Sequence, residues 1–366
     1  MNTLLFDSLE IRQFRAFDFL KIEQLGHVNL ILGKNNVGKS TLLEALYLHA
    51  NVGSPSAMRH ILDTRNEPYS SLYTEQSEPG FNNLFFGNPL LADINQEIQI
   101  GRLGAPDSSL RIFVTCVPMK LTMHDATTLI PKSDGIMKND TVPAIQIGGI
   151  VDSDYILPLD RSYDDLTRFW NLQKEHVEMI TPGIFIHPDG LSAVQLQTLW
   201  ETIALKPEKQ DVIDALRIIS PEVEDFVLFS PRPGVQAFNV RIRSHNVPVP
   251  ARSLGDGINR LIGLSMALVF SKGGILLVDE IENGIHWSVL PYVWKFIVKV
   301  AKRLNVQVFA TTHSNDCLRA FHYGTKGEPE VQGVAVRLEK RDDGFHAEIF
   351  DEQRLALIVK EGIEIR

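Results

Sequence analysis

Cysteine is scarce in this sequence: Cys116 and Cys317 are the only two, and they stand in no metal-ligating spacing. That pattern fits free thiols in a reducing compartment. No apolar run approaches the ~20 residues that cross a bilayer, which excludes a membrane-spanning helix. The opening MNTLLFDSLE lacks the basic-then-apolar pattern of an export signal, so a cytoplasmic location and no membrane partner are expected. Basic charge is short as well: 36 Lys and Arg against 45 Asp and Glu give a formal charge of −9. This argues against a surface coated in positive charge for nucleic acid and leaves open only a local basic groove. Internal repeats, low-complexity tracts and sustained heptads are also missing, which argues against solenoids and long coiled coils.

What remains has ordinary globular composition, with 44% apolar and 22% charged residues in a chain of 366. That length suffices for one large domain or two modest ones. Residues 3–12 and 20–32 read as strands, and HVNLIL (27–32) runs straight into a glycine loop and the apolar helix STLLEALYLHA. From about 51 to 110 the text is polar and loop-rich, with NLFFG (83–87) as an apolar island. Strands return at 96–102 and 110–118. Amphipathic stretches follow at about 161–180 and 191–219, with Trp170 and Trp200 on apolar faces and prolines between. The last third is the most legible. GGILLVDE (273–280) is an apolar strand ending in two acids. The helix 287–304 then sets Leu290, Trp294, Ile297, Val298, Ala301 and Leu304 against Lys295, Lys299 and Lys302. VQVFATTHS (306–314) is the next strand. A short-linked strand–helix–strand unit predicts a parallel right-handed crossover, with the residues ending both strands on one sheet edge. Residues 331–350 read as a hairpin turning at Asp342-Asp343-Gly344, before a helix at 351–361.

GKNNVGKS (33–40) satisfies G-x-x-x-x-G-K-[ST] in the context that gives it meaning, after a strand and opening a helix. Gly33 and Gly38 let the backbone curl so that its N–H groups, including those near Asn35, Asn36 and Thr41, face phosphate oxygens. Lys39 would reach the β- and γ-phosphates of ATP, and Ser40 would offer its hydroxyl to Mg²⁺. At the end of the ILLV strand, Asp279 can hold the Mg²⁺ shell and Glu280 can polarise an attacking water. His313 closes the next strand, where it can donate to the γ-phosphate and report its loss. Glu282 and Asn283 stand beside the acids, and His286 carries no catalytic role. ARSLGDGINRL (251–261) adds a second small-residue turn before an apolar helix, so Ser253 and Gly255 also mark an anion site. The same turn serves equally as a helix cap.

In this order, the phosphate loop, SLGDG, the Asp279-Glu280 strand and His313 resemble ABC-class ATPases. IRQFRAF…VNLILGKNNVGKSTLLEAL and DEIENGIHWS…FATTHS are similar to the SMC/RecF/OLD-like branch, in particular to stand-alone ATPases of the AAA-15/AAA-21 type. The specific motifs anchor residues 9–50 and 250–320. The signature departs from the transporter form LSGGQ, and the glutamine loop has only Gln96 and Gln99 as candidates. The resemblance implies an α/β fold: an ABC-type P-loop NTPase head, with a RecA-like core sheet and an N-terminal antiparallel β lobe, interrupted by a mixed α/β insertion. Residues 1–50 and 250–330 would form the head, 51–249 the inserted arm and 331–366 a C-terminal hairpin and helix. It also implies an ATP-sandwich homodimer in which Ser253 and the N–H groups at Gly255 meet the neighbour's γ-phosphate.

Three functional readings follow from the resemblance. The first is the ATPase subunit of a two-gene anti-phage system of OLD-like or PARIS-like type. It would control a separate effector, a Toprim-type nuclease, because no second acid-rich domain follows residue 320. The second is a RecF-like repair ATPase that clamps DNA, for which Arg241, Arg243 and Arg252 are the basic hint. The third, a transporter motor subunit, is disfavoured by the long insertion and the missing LSGGQ.

Overall fold

Strand β3 (Val28–Leu32) is buried at each of its five positions and lies inside a six-stranded sheet. Continuous apolar text of this kind belongs to a parallel sheet covered on both faces. Its neighbours are β13 (Gln307–Thr311) and β14 (Gly333–Arg341), both parallel to it. Beyond β13 come β12 (Ile275–Val278) and β8 (Gly183–Ile186), also parallel; β15 (Gly344–Phe350) pairs antiparallel with β14 at the other edge. The one polar side chain inside β3, Asn29, accepts from Gly26 N and donates to the carbonyls of Gly26 and Val308, so its burial leaves nothing unsatisfied. The computed structural model describes residues 4–67, 80–89, 96–118, 141–150, 154–159, 163–173, 183–232, 235–326, 331–363 and 365.

The second sheet is antiparallel, in the order β2-β1-β4-β5-β6-β7. Its strands are β1 (Leu9–Phe14), β2 (Phe17–Ile22), β4 (Glu97–Gly101), β5 (Leu110–Pro118), β6 (Thr141–Gly148) and β7 (Tyr155–Pro158). Helix α1 (Lys39–Ala50) packs between the two sheets and is apolar around most of its circumference. On the far face of the parallel sheet lie α6 (Asp256–Phe270) and α7 (Leu290–Leu304). Leu290, Trp294, Ile297, Val298, Ala301 and Leu304 of α7 are buried, as their spacing requires, and each large one contributes about 1.5–3 kcal/mol. Over them lies α8 (Asn315–Thr325), and α9 (Glu352–Glu361) closes the chain's described part.

The stretch 51–249 does not stand apart from the head. Strands β4, β5, β6 and β7 complete the antiparallel sheet, since Ile11 pairs with Ile100, and residues 183–186 form the edge strand of the parallel one. What projects is a lobe of α4 (Ala193–Ile203), α5 (Lys209–Ile219) and the sheet of β9 (Val223–Arg232), β10 (Val235–Ile242) and β11 (Val249–Pro250), packed on α6. The loop-rich reading of 51–110 is corrected as well. Ser54 caps α2 (Pro55–Thr64) by accepting from Ala57 N, with proline at the first helical position. NLFFG docks on β1 through the Phe14–Phe85 bridge. Of the amphipathic stretch 161–180, α3 (Tyr163–Gln173) buries Trp170 against Tyr155, and 174–180 lies outside the described residues.

Candidate functional site

β3 delivers the chain into its glycine loop at the carboxyl edge of the parallel sheet. Gly38 has φ 89°, and a Cβ there would lie 2.5 Å from the Phe17 ring, so this position accepts glycine alone. Asn36 also has positive φ (64°), which asparagine tolerates better than most residues. The first turn of α1 has no side-chain cap, so its N–H groups point into the loop as anion donors. Lys39 Nζ donates to Gly33 O at 2.7 Å and Lys34 O at 2.9 Å, bracing the loop from inside. Burial lowers the Lys39 pKa, while Asp279, Glu280 and Glu282 oppose that shift.

The acids ending β12 are held just as closely. Ser40 Oγ donates to Asp279 Oδ2 at 2.6 Å, and Thr311 Oγ1 donates to Asp279 Oδ1. The same threonine oxygen accepts from Glu280 N at 2.9 Å. Glu280 has φ 50°, a left-handed conformation that a long side chain rarely adopts. Its Oε2 accepts from Asn283 Nδ2 at 2.7 Å, and His313 Nδ1 stands 3.6 Å from Oε1. Glu282 accepts from Thr312 Oγ1 at 2.8 Å and from His313 N at 3.3 Å, which ties the loop after β12 to the end of β13. Among the described residues, His286 hydrogen-bonds with its own turn, at Ser288.

These groups open on a cleft of about 710 Å³. Asn35, Asn36, Gly38, Lys39, Ser40 and Thr41 line it from the loop side, and Asp279 and Glu280 face them. Gly33 lies behind, at Lys39, and His313 reaches the site through Glu280. Ser253 and Gly255 are exposed and lie outside this wall, before α6. Gln99 sits in β4 of the other sheet, paired with Arg12 and Arg111, and Gln96 immediately precedes that strand; neither lines the cleft. At the end of β8, beside Asp279, stands His187 instead.

Two further groups escape sequence reading. Arg65, just after α2, donates to Glu44 Oε1 at 2.7 Å and to Thr41 Oγ1 at 3.2 Å, and lines the cleft. Arg15 meets the same Glu44 at 3.1 Å and Glu67 at 2.7 Å. Burial raises the Glu44 carboxyl's pKa, and the two guanidinium groups counter it. Arg260 of α6 donates to His187 O at 3.1 Å and Asp279 O at 3.3 Å, so the helix after SLGDG grips both strand ends at the cleft. No sequence signal marks either group, because the partners are far apart along the chain.

Fold and site together define a P-loop nucleoside triphosphatase. Residues 8–57 match a family described as "AAA domain", and residues 199–318 match "AAA domain, putative AbiEii toxin, Type IV TA system". Over 356 residues the chain is 21% identical to an "ATP/GTP phosphatase" of Helicobacter pylori, covering 92% of this chain and 93% of that one. Two solved structures show a looser likeness. An SMC head bound to the C-winged helix domain of ScpA has TM-score 0.49, 11% identity and coverage of 95% of this chain and 98% of that chain. A Pyrococcus furiosus Smc head with an extended coiled coil, bound to the C-terminal domain of ScpA, has TM-score 0.48, 10% identity and coverage of 98% and 99%. With its phosphate loop and the acids facing it across the cleft, the chain is an ATPase, similar in sequence to the AAA-domain families and the phosphatase named above.

Proposed function

We propose that the chain binds ATP with Mg²⁺ in the Lys39–Asp279 cleft and hydrolyses it between two copies of itself. The observation that carries this reading is the separation of two anion-ready helix N-termini. One opens on the cleft; the other, with exposed Ser253 and Gly255, lies outside its wall. A second copy would bring its Ser253 turn to the first copy's γ-phosphate. Ser40 and Asp279 are hard oxygen donors already in contact, a donor set that suits Mg²⁺ alongside phosphate oxygens. Such an ion, when bound, offsets phosphate charge. Glu280 would orient the attacking water, with Asn283 fixing one carboxylate oxygen and His313 beside the other.

We infer further that this cycle is a switch controlling a separately encoded effector, a Toprim-type nuclease in anti-phage defence. The toxin–antitoxin description of the family matched at 199–318 supports a two-component setting. The DNA-clamp reading draws less support, because Arg241 and Arg243 both stand near Glu224, at 3.6 and 3.4 Å. A switch needs two states that bind the effector with different affinity, and tenfold corresponds to about 1.4 kcal/mol. The test is the affinity for the protein encoded beside this one, measured with ATP, ADP and no nucleotide. At least a tenfold spread is expected, and Val194→Asp with Leu205→Asp on the exposed lobe should weaken binding. Equal affinity in all three states overturns the switch.

A further inference from the structure

At the cleft wall, His187 Nε2 and His60 Nε2 face each other at 3.0 Å. His187 directly follows β8, whose register with β12 pairs Ile186 with Val278 and so sets His187 beside Asp279 at the cleft. His60 belongs to α2 and packs on Tyr47, while the His187 ring lies 4.0 Å from that of Phe185. The backbone under His187 is fixed: its carbonyl accepts from Gly190 N at 2.9 Å and Arg260 Nη1 at 3.1 Å. Two imidazole nitrogens from distant parts of the chain therefore stand 3.0 Å apart beside the nucleotide cleft, with His187 lining it.

Nothing in the ATPase chemistry described above uses this pair. Two nitrogens sharing one ion at ~2.1 Å stand about 3.0 Å apart in adjacent octahedral positions and about 3.4 Å apart in tetrahedral ones. We propose that His60 and His187 form a two-nitrogen half-site for a late first-row divalent cation, next to and distinct from the Ser40–Asp279 oxygen pair. Imidazole nitrogen selects Co²⁺, Ni²⁺ or Zn²⁺ over Mg²⁺, which takes oxygen. Among the described residues no three His, Cys, Asp or Glu side chains gather as a complete cage. The remaining positions therefore fall to water and, on the nucleotide reading above, to a phosphate oxygen. Burial keeps both rings neutral, as ligands must be: His60 titrates below its usual range and His187 at about 4.

The test is Co²⁺ binding to the full chain without nucleotide, followed by its visible absorption and by calorimetry. One equivalent should bind with ligand-field bands, and His60→Ala and His187→Ala should each weaken binding at least tenfold. Lys39→Ala should keep the bands, so failure of the nucleotide reading and failure of the ion site are told apart. A wild-type chain that binds no Co²⁺, or bands unchanged in both histidine variants, overturns the proposal and leaves an N–H···N hydrogen bond between two helix- and strand-borne rings.

Discussion

The Ser40 hydroxyl touches the Asp279 carboxylate at 2.6 Å across 239 residues of sequence. Thr311 holds the other carboxylate oxygen, so Asp279 has one fixed orientation toward the loop. Ser40→Ala and Asp279→Asn should each reduce Mg²⁺-supported hydrolysis by about 100-fold or more while leaving the fold intact. Steady-state ATPase rates across a Mg²⁺ titration, with circular dichroism as the control, check this. Rates within threefold of wild type would remove the pair from metal binding.

Glu280→Gln should keep ATP bound and slow its hydrolysis at least ~100-fold, since the amide cannot polarise water as the carboxylate does. The Asn283 contact should survive, because an amide oxygen still accepts it. Equilibrium binding of labelled ATP and single-turnover rates separate the two effects. Near-normal turnover would take Glu280 out of its role.

Lys39→Ala should abolish ATP affinity by removing the nearest cation. Ser253→Arg should bind ATP yet fail to hydrolyse it if, as proposed, its turn serves a site on the other copy. Mixing the two inactive variants should restore part of the activity, since a mixed dimer keeps one intact composite site. Subunit exchange shown by mass, without recovery of turnover, would argue against shared sites.

Gly38→Ala drives a methyl group into the Phe17 ring and strains a φ of 89°. Loss of roughly 1–3 kcal/mol of stability is expected from the backbone conformation alone. Phe17→Leu in the same chain should recover part of the midpoint shift in thermal unfolding, because the flat ring edge is what blocks the methyl. An unchanged midpoint for Gly38→Ala would contradict the packing described.

Local order made much of this molecule readable. The glycine loop lies between an apolar strand and an apolar helix, and the β12–α7–β13 unit spans fewer than forty residues. The α7 stripe and the β14–β15 turn at Asp342-Asp343-Gly344 follow from side-chain periodicity and turn chemistry. Long-range pairing was not readable. Nothing in GIFI announces that Ile186 meets Val278, and a four-residue strand is too short to show a period. His187 was hidden for that reason, as were Arg65 and Arg260, whose partners lie 19 to 73 residues away along the chain.

β3 sits between β13 and β14, and about 275 residues separate its end from the start of β13. A ribosome adding ~5–20 residues per second needs roughly 15 to 55 s to supply that first neighbour. Throughout this interval VNLIL has no strand beside it to satisfy its backbone, although α1 follows at once to cover one face of it. The phosphate loop is therefore synthesised long before the strands that flank β3 on either side. Nascent chains should depend on chaperone protection of this segment until β13 emerges.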